Sequence, residues 1–199
     1  MPILIFQRKS LKLPQNNNVV LGLDPGLATT GWGVIEKTSA SLQLLSYGAI
    51  ETSAGEPLPD RLLQIQQQLS LLIDAYRPSV LAIEELFFTK FAVSIAATAQ
   101  ARGAILLTAA LKELVIVEYN PRAVKMAMTG FGSASKIQMQ TMLQRHFRLK
   151  ELPRPDDAAD ALALALCHVQ TKTQLRAPVT RKMRADFERQ LAARAGVAW

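Results

Sequence analysis

VVLGLDPG at 19–26 and SVLAIEE at 79–85 decide how this chain folds. Each opens on a short apolar run of strand length, and each run ends in a carboxylate. In the first, Asp24 is followed by Pro25 and Gly26, a pair that makes a turn because proline fixes φ and glycine accepts φ > 0. The second starts after Pro78, which stops the helical period of DRLLQIQQQLSLLIDAY at 60–76. Outward from these runs, TGWGVIEK (30–37) and LQLLSYGAIET (42–52) read as strands joined by the polar KTSAS turn. The first three strands therefore form an antiparallel meander. An Ala-rich helical stretch covers 92–113, and LVIVEY (114–119) is a fifth strand. Helices follow at 121–128 and 135–147, on either side of the glycine loop TGFGSAS. Pro155 opens a last helix at 155–169, because proline is tolerated at a first helical position. Strands followed by strand–helix alternation predict a three-layer α/β domain.

The polar PQNNN at 14–18 breaks regular structure, so residues 1–18 read as a flexible basic arm. Residues 19–170 read as one domain and 171–199 as a basic tail that could be helical. With 199 residues and 49% hydrophobic content, the chain has ample material for one core. No apolar run reaches the roughly 18 residues that span a bilayer. MPILIFQRKS places its charges after its apolar stretch, the reverse of a secretion signal. The single cysteine, Cys167, excludes an internal disulfide, and two histidines argue against a Cys/His zinc site. The expected compartment is the reducing cytoplasm.

The net charge is +7, and its distribution says more than its total. Residues 122–154 hold Arg122, Lys125, Lys136, Arg145, Arg148, Lys150 and Arg154 against Glu151 alone. That stretch runs into the acidic PDDAAD at 155–160. A basic approach to an acidic pocket suits a polyanion that is to be hydrolysed; the plainer alternative is a solvated helix face.

Asp24 closes a strand, and ligands of open α/β sheets gather beyond the carboxyl ends of strands; its plain alternative is a turn aspartate. Glu84 and Glu85 point to opposite faces of a second strand, so one of them can join Asp24. Both faces are apolar (Val80 and Ala82, Leu81 and Ile83), so periodicity does not choose between them. Asp157 and Asp160 are neighbours on one helix face and repel unless a cation lies between them. Asp156 is explained by the favourable field at a helix N-terminus and is expected to point elsewhere. The small residues of ADALALALC let this helix approach the sheet closely. Asp24-Pro25-Gly26 with Gly31 and Gly33 also resembles the phosphate loop of actin-like kinases, but the chain has no room for their two domains.

Six motifs follow one another: LGLDPG (21–26), TGWGVI (30–35), AIEELFF (82–88), QARG (100–103), TGFGSASK (129–136) and DDAADALALALCH (156–168). This ordered set resembles the RuvC-type Holliday-junction resolvases from about Val20 to His168. The resemblance implies an RNase H-like α/β/α fold on a five-stranded mixed sheet. It implies Asp24, Glu84, Asp157 and Asp160 as catalytic, metal-binding acids, and so selects Glu84 over Glu85. It implies about two magnesium ions per site, replaceable by manganese, in a hydrolysis that leaves a 5′-phosphate. Lys125 and Lys136 match lysines that bind DNA near the cut, and Phe87 matches an aromatic inserted among bases at the crossover. The implied enzyme is a homodimer that makes paired nicks in a four-way DNA junction and cooperates with a branch-migration helicase. Phe91 and Ala99 depart from the pattern, beside the aromatic loop and the helix expected at the dimer contact. The alternatives are an RNase H-like nuclease acting on another nucleic acid and a non-catalytic junction-binding protein.

Overall fold

The computed structural model describes residues 16–85 and 92–171. The elements run β1 (Asn16–Asp24), β2 (Thr29–Lys37), β3 (Leu42–Glu51), α1 (Leu58–Tyr76), β4 (Pro78–Glu84) and α2 (Ala92–Leu111). They continue with β5 (Val115–Tyr119), α3 (Pro121–Thr129), α4 (Lys136–Phe147) and α5 (Asp156–Gln170). The strands form one sheet in the order β3-β2-β1-β4-β5. β1, β2 and β3 pair antiparallel, as the short connections between them require, while β1/β4 and β4/β5 are parallel because α1 and α2 carry the chain back. The expected meander and the mixed five-stranded sheet are both present.

Strand alternation divides the core into two layers. Val20, Val80, Ala82 and Tyr119 pack with α3, α4 and α5, whereas Val19, Leu21, Leu23, Leu81 and Ile83 pack with α1 and α2. The sheet is thus covered on both faces, which gives the α/β/α sandwich.

The differences from the sequence reading lie at element ends. β1 begins at Asn16, inside the stretch read as an arm, because Asn16 is registered against Pro78 of the parallel neighbour. Pairing overrides the weak strand propensity of asparagine. Pro155 is the N-cap residue of α5, not its first helical residue. α2 ends at Leu111, short of 113, where the chain turns through Glu113 at φ 61. The remainder of the arm (1–15) and the tail from 172 lie outside the described residues. No helix among the described residues is long and apolar enough to cross a membrane.

Candidate active site

Register brings the first two acids together. Gly22 of β1 is level with Ala82 of β4, and Leu23 with Ile83. One step further sets Asp24 level with Glu84 at the carboxyl ends of both strands. Strand alternation then puts both on the face of Val20 and Ala82, which is the face that α5 covers. Glu85 belongs to the opposite parity. Its amide donates to Tyr119 O at 2.9 Å, and its carboxylate accepts from Asn120 Nδ2 at 3.4 Å.

α5 supplies the other acids, and glycines let it in. A Cβ on Gly22 would meet the Ala161 carbonyl and lie 2.8 Å from the Ala165 amide. A Cβ on Gly33 would lie 2.8 Å from Leu162 Cα, and one on Gly31 would run into the Asp157 carbonyl. Gly22 pairs with Gly33 and Asp24 with Gly31, so these glycines form a track across β1 and β2 on which the helix backbone rests. The small residues of α5 were expected to permit close approach; the sheet contributes as much. Gly31 and Gly33, compared in sequence with a phosphate loop, serve packing here. From Ala158 to Val169 every residue of α5 is buried except Asp160, which is half-buried beside the strand ends.

Burial and neighbouring charge act together on Asp24, Glu84 and Asp160. Burial, then the charges of Glu84, Asp160 and Asp157, push the Asp24 carboxyl from 3.8 up to about 7, against a downward pull from Lys136. Burial and then Asp160 raise Glu84, offset by Lys125 and Arg102. Burial also raises Asp160; Lys136 opposes it, and Asp156 and Asp157 add to it. The four carboxylates therefore share one electrostatic site.

Lys136 Nζ lies 3.8 Å from Asp160 Oδ2 and 3.7 Å from Asp156 Oδ2. Asp156 does not point away as expected: it shares Lys136 with Asp160 and accepts from Gln140 Nε2 at 2.9 Å. α4 crosses the start of α5, so its side chains reach the exposed first turn as well as the buried one. Lys136 follows a capping box in which Ser135 and Gln138 satisfy each other's amides, leaving fewer amides for a phosphate than the sequence suggests. Phe87, the expected base-contacting aromatic, lies outside the described residues, as does Phe91. Ala99 is half-buried on α2.

Arg102 was missed as a site residue. It is 6% exposed, donates to the Glu84 carbonyl and pairs through Nη2 with Glu118 Oε2 at 2.7 Å. It ties α2 to the end of β4. The available signal was the lone arginine of QARG within an Ala-rich apolar helix.

Among the described residues no three acids converge closely enough to enclose one ion as they stand. The donor set nevertheless fits a divalent cation. Carboxylate oxygens are the hard ligands that magnesium and manganese take, and the repulsion among these acids is what such a charge would relieve.

The model of a family described as crossover junction endodeoxyribonuclease RuvC matches residues 20–168. The RuvC of Endomicrobium trichonymphae is 54% identical over 154 residues, covering 77% of this chain and 81% of its own. The Thermus thermophilus RuvC structure is similar at 35% identity and a TM-score of 0.69, over 76% of this chain and 93% of that one. T. thermophilus RuvC in complex with Holliday junction substrate is similar at 35% identity and a TM-score of 0.72, over 77% and 93%.

Proposed function

Because this chain belongs to the RuvC family of crossover junction endodeoxyribonucleases, we propose that it resolves four-way (Holliday) DNA junctions by paired, symmetric nicks. Asp24, Glu84, Asp157 and Asp160 are the residues we assign to hold the metal, with magnesium as the ion, manganese as its substitute and about two ions per site. When bound, the metal supplies Lewis-acid activation of the attacking water and of the leaving 3′ oxygen, so that the product carries a 5′-phosphate.

The chain's own residues do the rest. Burial at the strand ends limits the water around the acids. Lys136, beside Asp160, and Lys125, whose charge reaches Glu84 and Asp160, draw the phosphate backbone to a site that is otherwise negative. Phe87 is assigned a base contact at the crossover. Arg102 holds the end of β4 and so positions Glu84.

Two equivalent cuts in a two-fold junction suit an isologous homodimer. The α2 face is our choice for its contact, since Leu107 and Leu111 there are 62% and 71% exposed. A branch-migration helicase is the further partner we propose, and the cytoplasm the compartment.

The observation that supports this reading best is the register that sets Asp24 level with Glu84 on the sheet face covered by α5, the helix of Asp157 and Asp160. The test is cleavage of a synthetic four-way junction by the wild-type protein and by Asp24→Asn, in magnesium and in EDTA, with linear duplex as control. Junction nicking should require magnesium and vanish in the variant while binding persists. A variant that nicks at the wild-type rate would remove Asp24 from the site. Faster cutting of an RNA–DNA hybrid or of duplex would replace the junction as substrate, and binding without metal-dependent cutting would mark a non-catalytic junction binder.

A further inference from the structure

The loop between α3 and α4 presents an aromatic side chain that the proposed chemistry leaves without a role. Phe131 is 70% exposed, and Met126 before it and Ile137 after it are 50% and 59% exposed. Scattered exposed apolar residues are ordinary. Phe131 differs in how it is held and in what surrounds it.

The loop that carries it is internally bonded. Thr129 Oγ1, which donates back to Lys125 O at 2.9 Å, accepts from the Phe131 amide at 3.1 Å. The Ala134 amide donates to Phe131 O at 3.2 Å, and Gly130 closes α3 in the left-handed region at φ 79. The backbone of Phe131 is thus bonded at both its amide and its carbonyl, while its ring stands in solvent. A large apolar ring standing in water on a held backbone adds little to the core, which leaves it free for binding.

Its setting names the ligand class. The stem of Arg122 lies against Gly132, where an added Cβ would come within 2.7 Å of Arg122 Cγ. Lys125 on α3 acts on Glu84 and Asp160, and Lys136 at the start of α4 pairs with Asp160 at 3.8 Å. The helices on both sides of the loop therefore carry lysines whose charges reach the acidic site. An exposed ring on a loop whose flanking helices carry cations that reach the acidic site has the two elements of single-strand recognition, a charged track for the backbone and a flat apolar face for a base.

We infer that Phe131 stacks on an unstacked base of the DNA beside the scissile phosphate, a second aromatic contact separate from the one assigned to Phe87. The inference rests on the proposed junction-cleaving function. It gives the α3–α4 loop a part in choosing which nucleotides are cut.

The test compares full-length wild type with Phe131→Ala, Phe131→Leu and Phe131→Trp on a four-way junction, with 2-aminopurine placed in turn at nucleotides flanking the cut. Binding should weaken about tenfold in the alanine variant, the scale of one lost base stack. Leucine should behave like alanine and tryptophan like wild type. The slope of log affinity against log salt should stay unchanged, because no phosphate contact is lost. One 2-aminopurine position should respond to wild-type binding and not to the alanine variant. Wild-type binding by the alanine or leucine variant would overturn the inference, as would a changed salt slope or an altered oligomeric state. If the wild-type protein neither binds nor cuts the junction, the proposed function fails; if it does both and Phe131→Ala matches it, the stacking role alone fails.

Discussion

Asparagine at position 24 should stabilise the metal-free protein even as it removes cleavage. Asp24 titrates at about 7 in the folded protein against 3.8 for the ordinary group. Below the lower value the carboxyl is protonated in both the folded and the unfolded chain and has no effect on stability. Between the two values the unfolded chain releases the proton while the folded chain retains it, so stability falls as pH rises. Above about 7 the loss is complete. At about 1.4 kcal/mol per tenfold difference in proton affinity, that gap corresponds to about 4 kcal/mol. Water reaching a group that is not fully enclosed reduces this to about 2–4 kcal/mol.

Asparagine keeps the shape and carries no charge, so it should recover that energy. In a chain of 199 residues the gain corresponds to a rise in melting temperature of roughly 5–15 °C. Circular-dichroism melts in EDTA from about pH 4 to about pH 8 provide the measurement. The advantage of Asp24→Asn should be small at the acid end, grow with pH and level off near pH 8. Magnesium should narrow it by stabilising the wild type. No advantage at the alkaline end, or an equal one at every pH, would refute an electrostatic penalty at Asp24.

Gly22→Ala places a Cβ against the Ala161 carbonyl and 2.8 Å from the Ala165 amide, where helix backbone has little room to give. It should cost at least about 1–3 kcal/mol by denaturant unfolding. Single-turnover cleavage should fall with it, because α5 carries Asp157 and Asp160. Lys136→Ala should reduce the slope of log junction affinity against log salt by about 1 in a binding titration. It should also move the rising limb of the pH–rate profile to higher pH, because Lys136 holds Asp24 and Asp160 down. Tyr119→Phe removes the 2.7 Å bond to His168 Nδ1 in the buried layer under α5. It should lower stability by about 1–2 kcal/mol at an unchanged m-value, with junction cleavage retained.

Most of the fold could be read along the chain, because period and punctuation are local. The apolar run VVLGLD stops at Asp24-Pro25-Gly26, and the helical period of α1 stops before Pro78. Each interior follows from the spacing of its own residues. The ends were less legible where a neighbour supplies the bonds, as at Asn16, which is strand because Pro78 lies beside it. The chemistry of the site was also legible as residue types: carboxylates at strand ends, paired acids on a small-residue helix and lysines upstream.

The arrangement of those acids was not a local property. Glu84 and Glu85 are equivalent in the sequence pattern, since both faces of β4 are apolar. They differ because β4 lies parallel to β1 with Leu23 level with Ile83, and because α5 covers the face that Val20 and Ala82 share. Register relates β1 to β4, and layer relates both to α5 far along the chain, so no window of sequence contains them. The same holds for Asp156, whose tie to Lys136 needs α4 to cross α5, and for Arg102, whose bond to the Glu84 carbonyl needs α2 packed at the end of β4. It holds also for Gly22, Gly31 and Gly33, which lie inside runs that read as strands and show their packing role only when a helix backbone is laid across them. The chain states which charges are available; the packing of α5 onto a glycine track decides which of them lie together at the strand ends.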